Sequence, residues 1–185
     1  MKVKNNGFNS CQKLILLSNK SYRFKMKYNK INNEFIACLK HIVGSDFVCV
    51  DQSVLMEYGA DHTEDLVFPP DVLVKPSTKE QISDIMKLSQ KNNIPVTPIG
   101  ARTGLSGGSL SVYGGVGLSM ERFNKIINID EDNFQVIVQP GVITQTLQDE
   151  VAKKGLYYAP DPASKGSCYI GGNIAENSGG PRALK

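Results

Sequence analysis

Hydrophobic residues recur along the chain first with the spacing of a helix and then with that of strands, and these changes outline its elements. Residues 31–41 predict a short amphipathic helix, because three apolar side chains fall on one face: Phe35, Ile36 and Leu39. Residues 47–50 predict a strand. Residues 51–64 are polar and show no regular period, so we expect mostly loop there.

A strand–helix–strand unit is predicted after the double proline Pro69-Pro70. Residues 72–74 form a short run of buried-strand type. Ser77 is expected to cap the next helix, with Glu80 reaching back to complete a capping box. The apolar stripe of that helix is read at i, i+3, i+4 and i+7, at Ile82, Ile85, Met86 and Ser89. Residues 94–97 lead into the next strand.

Further strands are predicted at 116–120, 126–129 and 134–139. A second helix is indicated by Ile143, Leu147 and Val151, and it is expected to end near Gly155. Strands and helices therefore mix without strict alternation. This order favours an α+β fold over a regular doubly wound sheet.

The net charge of +3 comes from one end of the chain. Residues 1–33 hold eight basic and no acidic residues, whereas the rest holds 13 basic against 18 acidic. Without a basic stripe interleaved with aromatics, a nucleic-acid partner is not expected. We interpret residues 1–30 as an unstructured leader or a start placed too early, with Met26 as the alternative start. Residues 31–65 then form a helix and strand segment, and 66–185 the main domain.

Metal and membrane sites receive little support from the sequence. The four cysteines form no C-x-x-C pair, and they are Cys11, Cys38, Cys49 and Cys168. They read as reduced thiols of an intracellular protein. No apolar run has transmembrane length. His62 lies in the polar run 61–65, which we interpret as a solvated surface loop rather than as a metal site.

The first glycine-rich segment, residues 98–108, follows a predicted strand and reads PIGARTGLSGG. Its four glycines allow close backbone approach and positive φ. Successive N–H groups can then form a concave nest for an anion, most naturally a diphosphate, and Thr103 and Ser106 add hydroxyl groups. It is not a Walker loop, since no Lys-Ser or Lys-Thr follows, and its glycine spacing is not that of a Rossmann fingerprint. A glycine-rich hairpin without a ligand remains the alternative.

The second glycine-rich segment, residues 160–180, has two Gly-Gly pairs flanking small and amide side chains. It has little bulk with which to build a core. A flat aromatic ligand lying against its backbone would explain that composition. The alternative is a flexible exposed loop, which fits poorly with Ile170, Ile174 and Ala175 inside the run.

With Gln139-Pro140-Gly141-Val142 between them, the two segments resemble the PCMH-type FAD-binding domain of the vanillyl-alcohol oxidase and p-cresol methylhydroxylase superfamily. The resemblance covers residues 66–185. Its branch is that of glycolate oxidase flavin subunits, D-lactate dehydrogenases and D-2-hydroxyglutarate dehydrogenases. It implies two α+β subdomains with FAD between them. It also implies that this chain is an N-terminal portion, with the catalytic groups and any metal ligands beyond Lys185.

The resemblance further implies which residues contact FAD. Residues 99–108 would hold the diphosphate, 140–142 would pack near the adenine side, and the 161–179 stretch would line the ribityl chain and ring. The implied contact residues are Ile99, Gly100, Ala101, Arg102, Thr103, Gly104, Leu105, Ser106, Gly107, Gly108, Pro140, Gly141, Val142, Asp161, Ser164, Gly166, Ser167, Cys168, Gly171, Gly172, Asn173, Ala175, Asn177 and Gly179.

The same resemblance implies the following expectations for Arg102, Cys168 and the attachment of FAD. Arg102 is expected to contact phosphate or solvent rather than to act in catalysis. Cys168 is expected to be a small buried residue rather than a reactive thiol. Non-covalent FAD is expected, because neither glycine-rich segment contains a histidine.

The function implied is FAD-dependent oxidation of a small 2-hydroxy acid, such as D-lactate, glycolate or 2-hydroxyglutarate, with hydride transfer to flavin N5. The electron acceptor would be a quinone, an electron-transfer protein or a partner subunit. A cytoplasmic location is expected, with peripheral membrane attachment through the acceptor as a variant. The alternatives are an alcohol or sugar oxidase of the same superfamily, a reductase of the enolpyruvyl-glucosamine type, and a non-catalytic nucleotide-binding fragment. The chain alone is expected to be inactive.

Overall fold

A computed structural model describes residues 27–63 and 65–182 of the protein. The interpretation of residues 1–26 as a leader therefore lies outside the described residues. Residues 27–30, which were assigned to that leader, contact the loop at 92–93. The Asn29 N–H donates to the Asn93 carbonyl at 3.0 Å, and Asn93 Nδ2 donates to the Lys27 carbonyl at 2.7 Å. These four residues thus belong to the folded part of the chain.

The first part of the chain forms an α+β lobe. In chain order its elements are α1 (Asn33–Val43), a 3-10 turn (Ser45–Phe47), β1 (Val48–Cys49), α2 (Gln52–Tyr58), β2 (Val72–Val74), α3 (Lys79–Lys91), β3 (Val96–Ile99) and β4 (Val116–Ser119). A second α+β lobe follows, and its elements are β5 (Ile126–Asp130), β6 (Gln135–Val138), α4 (Thr144–Ala152) and α5 (Ile170–Ala175). None of the described helices is long and apolar enough to cross a membrane.

The sheet of the first lobe has the order β1-β2-β4-β3. β1 runs antiparallel to β2, while β2, β4 and β3 are parallel, with Val116 opposite both Val72 and Val96. Parallel strands bring their carboxyl ends to one edge of the sheet. The segments that begin at Lys75, Gly100 and Met120 therefore leave the sheet side by side.

Both faces of this sheet are covered. Helices α1 and α3 pack on the face formed by alternate strand residues, and the resulting core contains Phe35, Leu39, Val43, Val48, Val72, Val74, Ile85, Ile94, Val116 and Leu118. On the opposite face Leu73 and Ile99 pack against Leu55 of α2. This two-sided burial explains why β2 and β4 are continuous apolar or small runs rather than alternating ones.

Two local predictions for this lobe are wrong. The region 51–64 contains helix α2, because the Asp51 carboxylate caps it, accepting the N–H groups of Ser53 at 2.9 Å and Val54 at 3.2 Å. The helix buries a single residue, Leu55, so its apolar stripe is too narrow to show as a period.

The capping box of α3 lies one residue later than predicted. Thr78 is the N-cap, and its hydroxyl accepts the N–H of Gln81 at 3.2 Å. The Gln81 side chain reaches back to the Ser77 N–H at 2.8 Å, the role expected for Glu80. The helix itself is confirmed. Of its predicted stripe, Ile85 and Ser89 are buried, whereas Met86 is exposed.

The second lobe is smaller. Strands β5 and β6 form an antiparallel hairpin, and one face of it packs on α4 around a core of Val142, Leu147, Val151 and Ile170. Its other face is open, with Ile127 and Ile137 more than half exposed. The glycine-rich segment of residues 160–180 includes the short helix α5, which its glycine-rich pattern does not predict.

Candidate functional site

A cleft of about 780 Å³ lies between the two lobes, a volume within the range of small-molecule sites. One side, the first wall, consists of residues 98–109 at the carboxyl edge of the parallel sheet. The opposite side, the second wall, comes from residues 162–178 together with Pro140. Both glycine-rich segments singled out in the sequence therefore face the same space.

The first wall leaves its backbone donors unused. Among the described residues, no N–H group from Ala101 to Ser109 donates to a backbone carbonyl. A Cβ built at Gly104 would meet nothing within 4 Å, so the backbone there is open to a ligand. Since unpaired N–H groups are costly away from water, this wall is suited to an anion that accepts several of them.

Positive φ in this loop falls on residues other than those expected. Gly107 has φ 75°, but Gly100, Gly104 and Gly108 lie outside the left-handed region. Arg102, a residue with a side chain, has φ 60°. Three of the four glycines therefore leave the backbone free of a side chain rather than adopting positive φ. Arg102, in contrast, takes a backbone conformation that residues with a side chain rarely adopt.

Contact of Arg102 with phosphate or solvent stays a prediction. In the structure Arg102 lines the cleft, and its guanidinium is held by residues at the end of α2. Its guanidinium lies 4.3 Å from the centre of the Tyr58 ring and donates to the Glu57 carbonyl. A second nitrogen, Nη2, lies 2.9 Å from Glu57 Oε1. Arg102 thus ties the first wall to the end of α2.

The second wall satisfies most of its own polar groups. The hydroxyl of Thr144 accepts from Asn173 Nδ2 at 2.5 Å and lies 3.2 Å from the Cys168 carbonyl oxygen. All three residues are nearly or fully buried. Cys168 is therefore the small buried residue that the sequence predicted. The Asn173 amide is thus bonded to Thr144, and Asn173 also lines the cleft.

Close packing explains two glycines near the second wall. A Cβ at Gly171 would lie 2.6 Å from Pro140 Cβ and 3.0 Å from the Pro140 oxygen. A Cβ at Gly141 would overlap the Met120 carbonyl oxygen. Gly141 and the buried Val142 do not line the cleft, although Pro140 does. The segment 140–142 thus joins the lobes more than it offers a binding surface.

A partly exposed ion pair lies where the parallel strands end. Lys75 Nζ lies 2.7 Å from Glu121 Oε1, and the Tyr58 hydroxyl donates to Glu121 Oε2 at 2.7 Å. Burial alone would raise the pKa of Glu121, but the bonds from Lys75 and Tyr58 lower it below its ordinary value. Burial, and then the charge of Glu121, raise the pKa of Tyr169.

Several lining residues were not assigned to the site from the sequence. They are Asp61, His62, Pro98, Ser109, Met120, Pro162, Ala163, Tyr169, Glu176 and Ser178. Asp61 and His62 reach the cleft because the His62 N–H donates to the Gly104 carbonyl at 3.1 Å. No local pattern signals that long-range bond. Tyr169 and Glu176 lie inside the second motif, where their bulk stood out among small residues and could have been used.

Sixteen of the predicted contact residues line the cleft: Ile99, Gly100, Ala101, Arg102, Thr103, Gly104, Leu105, Ser106, Gly108, Pro140, Ser164, Cys168, Gly171, Gly172, Asn173 and Ala175. The others lie outside its lining: Gly107, Gly141, Val142, Asp161, Gly166, Ser167, Asn177 and Gly179. Six of these eight are next to a lining residue in the chain, and Val142 and Gly166 are not. Contact with a cofactor remains a prediction for the whole set.

Comparison with known proteins now identifies the family. Residues 70–185 match the family described as FAD binding domain. The chain belongs to this family. It is 40% identical over 162 residues to D-lactate dehydrogenase of Anaerostipes hadrus, covering 86% of this chain and 33% of that protein. It is 42% identical over 128 residues to glycolate oxidase subunit GlcD of Bacillus subtilis (strain 168), and this match covers 69% of this chain and 27% of that protein.

A solved structure supports the fold of this FAD-binding domain. p-Cresol methylhydroxylase with bound substrate superposes with a TM-score of 0.61 at 26% identity, covering 69% of this chain and 27% of that one. The predicted α+β, PCMH-type class is confirmed. The chain spans about a third of the length of the curated relatives it matches.

The residues of the cleft fit FAD, the cofactor of this family. The unused N–H groups of the first wall suit a diphosphate. The open backbone at Gly104, and at Gly172 of the second wall, where a Cβ would also meet nothing within 4 Å, suits a flat group lying close to the chain. A larger side chain at either position would occupy that space.

Proposed function

We propose that this chain is the flavin-binding part of an FAD-linked dehydrogenase that oxidises a small 2-hydroxy acid to the 2-oxo acid. The main support is the cleft, whose first wall offers a run of N–H groups with no backbone partner among residues 27–63 and 65–182. That geometry occurs in a chain 40–42% identical to proteins named D-lactate dehydrogenase and glycolate oxidase subunit GlcD. D-lactate, glycolate and 2-hydroxyglutarate are the proposed substrates.

When bound, FAD supplies a ring that accepts a hydride at N5. The chain's own part is to bind and orient it. Backbone donors of the first wall hold the diphosphate, while the second wall and Pro140 lie against the flat group and exclude water. The proposed contact residues are those of the two walls.

Oxidation of a 2-hydroxy acid also requires a base for the hydroxyl proton and a cation for the carboxylate. Two cations at the carboxyl edge of the sheet are already engaged, Lys75 with Glu121 and Arg102 with Glu57. We therefore propose that the substrate-side groups lie outside the described residues. Residues 66–185 would be the flavin-binding part, with 31–65 packed on it.

Electrons leave such an enzyme through an acceptor. A quinone, an electron-transfer protein or a partner subunit would serve, and the proposed location is cytoplasmic, with membrane contact only through that acceptor. To test the proposed acceptor, the full gene product is used in a pull-down under turnover conditions. Reduction of the captured partner is then measured. Reduction of oxygen alone at the full rate would contradict it.

The substrate class is tested by anaerobic flavin bleaching of the full gene product, with the 185-residue chain in parallel. The substrates are glycolate and both enantiomers of lactate and of 2-hydroxyglutarate, and primary alcohols and aldoses are the controls. We expect bleaching by at least one hydroxy acid in the full product and none in the chain alone. Bleaching by an alcohol or sugar only would support the oxidase alternative, and a colourless product would support the non-catalytic one.

The mode of FAD attachment needs its own experiment, because the structure brings His62 to the cleft although no histidine lies in either glycine-rich segment. We propose non-covalent FAD. Acid precipitation should then release all flavin to the supernatant. Flavin that stays in the pellet, located by peptide mapping, would contradict this.

A further inference from the structure

His62 stands at the cleft although its sequence context indicated a solvated loop. Its backbone N–H donates to the Gly104 carbonyl at 3.1 Å. The neighbouring Asp61 is held as well, because Ser109 Oγ donates to its Oδ2 at 3.4 Å and its Oδ1 accepts the Thr63 N–H at 2.8 Å. Segment 61–63 is thereby fixed against the first wall, and the His62 side chain is exposed at the cleft.

The ionisable side chains that line this cleft are Asp61, His62, Arg102, Cys168, Tyr169 and Glu176. Only two of them can be cations. Arg102 is occupied by Glu57 and the Tyr58 ring. Ser106, a hydroxyl donor of the first wall, is also engaged, since its Oγ donates to Glu176 Oε2 at 2.7 Å. Among the described residues, the His62 imidazole makes no hydrogen bond.

An anion entering the first wall would therefore meet two carboxylates and one ionisable nitrogen that is not already paired. Asp61 and Glu176 repel it, while the backbone N–H groups attract it. A histidine bonded through its own backbone to that wall supplies a donor and, when protonated, a positive charge. Charge-assisted bonds to phosphate are stronger than neutral ones.

From these contacts we propose that His62 is a ligand of the FAD diphosphate and that its protonation makes FAD binding depend on pH. The inference rests on the proposed flavin site. Affinity for FAD is greatest when His62 is charged and is lower when the imidazole is neutral. Riboflavin, which has no phosphate, is bound without this dependence.

The test measures FAD and riboflavin affinity of the 185-residue chain by flavin fluorescence anisotropy between pH 5.5 and 7.5. In this interval carboxylates and phenols ordinarily keep one charge state. We compare the wild type with His62→Gln and His62→Lys, and His41→Gln is the matched control because it removes the only other histidine, on α1. Thermal melts of each variant check folding, which an exposed side chain at either site should leave unchanged.

We expect FAD affinity of the wild type and of His41→Gln to fall on the order of fivefold across this interval. At every pH His62→Gln should bind FAD as weakly as the wild type does at pH 7.5. At pH 5.5 and at pH 7.5 His62→Lys should bind FAD as tightly as the wild type does at pH 5.5. An unchanged pH dependence in His62→Gln, or equally weak binding by His62→Lys, would overturn the role of His62 while leaving the flavin site standing. Absence of FAD binding by the wild type at every pH would overturn both.

Discussion

The two walls of the cleft are both rich in glycine, yet they use it in different ways. In the part of the chain that the structure describes, the N–H groups of the first wall from Ala101 to Ser109 have no backbone partner, and no atom lies within 4 Å of a Cβ built at Gly104. The second wall bonds much of its own backbone and places Gly171 against Pro140. Glycine content alone therefore does not distinguish a ligand-binding loop from a closely packed one. The free donors and the space beside each Cα do.

The largest expected effect on stability comes from the packed wall. Gly171→Ala would place a Cβ 2.6 Å from the Pro140 ring, and a proline has little freedom to move away. We expect a loss of about 3 kcal/mol in the free energy of unfolding, measured by urea denaturation. Gly172→Ala is the matched control, because its Cβ would meet nothing within 4 Å. Equal stability of the two variants would contradict the close packing of the second wall at Gly171.

A substitution in the first wall should lower FAD affinity and leave the stability nearly unchanged. Gly104→Val fills the open space beside the proposed diphosphate position, so we expect FAD affinity to fall by at least about thirtyfold, roughly 2 kcal/mol. Stability should change by less than about 1 kcal/mol, because the site is open and its φ is ordinary. Isothermal titration with FAD and a thermal melt separate the two effects. Full FAD affinity in this variant would mean that the first wall is a hairpin without a ligand.

The buried network under the second wall gives an intermediate effect. Asn173→Ala removes the donor to Thr144 in a buried setting, at an expected cost of about 1–2 kcal/mol in stability. Ser178→Ala is the control, as a partly buried residue of the same wall. If FAD affinity falls while stability stays unchanged, Asn173 faces the cofactor and the network is not structural.

The smallest effect is the response of the second wall to acid. Lys165 Nζ lies 2.7 Å from Asp161 Oδ1, and this bond, followed by the charges of Lys165 and Arg182, holds the pKa of Asp161 below its ordinary value. A lowered pKa stabilises the fold above the ordinary value of 3.8, and the gain is lost as pH falls below it.

We therefore expect faster amide exchange in residues 162–178 at pH 3 than at pH 5, after correction for intrinsic rates. The first wall should change less. In Asp161→Asn the difference between the two walls should disappear. A wild-type second wall that is equally protected at both pH values would contradict this assignment.

In the first lobe, sequence periodicity predicted the strands that are buried on both faces and the helix that has a wide apolar stripe. Strands 72–74 and 116–119 and helix α3 are of this kind. It failed for α2, whose stability depends on the Asp51 cap, on the buried Leu55 and on polar contacts of Glu57 and Tyr58 with Arg102 and Glu121. A short helix held by its cap and by contacts with distant polar residues leaves little trace in the pattern of apolar residues.

The sequence by itself determined the fold class, the family, and the two glycine-rich segments that face the cleft. These depend on local composition and spacing, which are written along the chain. The tertiary structure alone decided that Gly171 and Gly141 pack while Gly104 stays open, that Arg102 turns to Glu57, and that His62 reaches the cleft. Each of these is set by parts of the chain far away in the sequence, and the local pattern around a residue does not show which distant groups it meets in space.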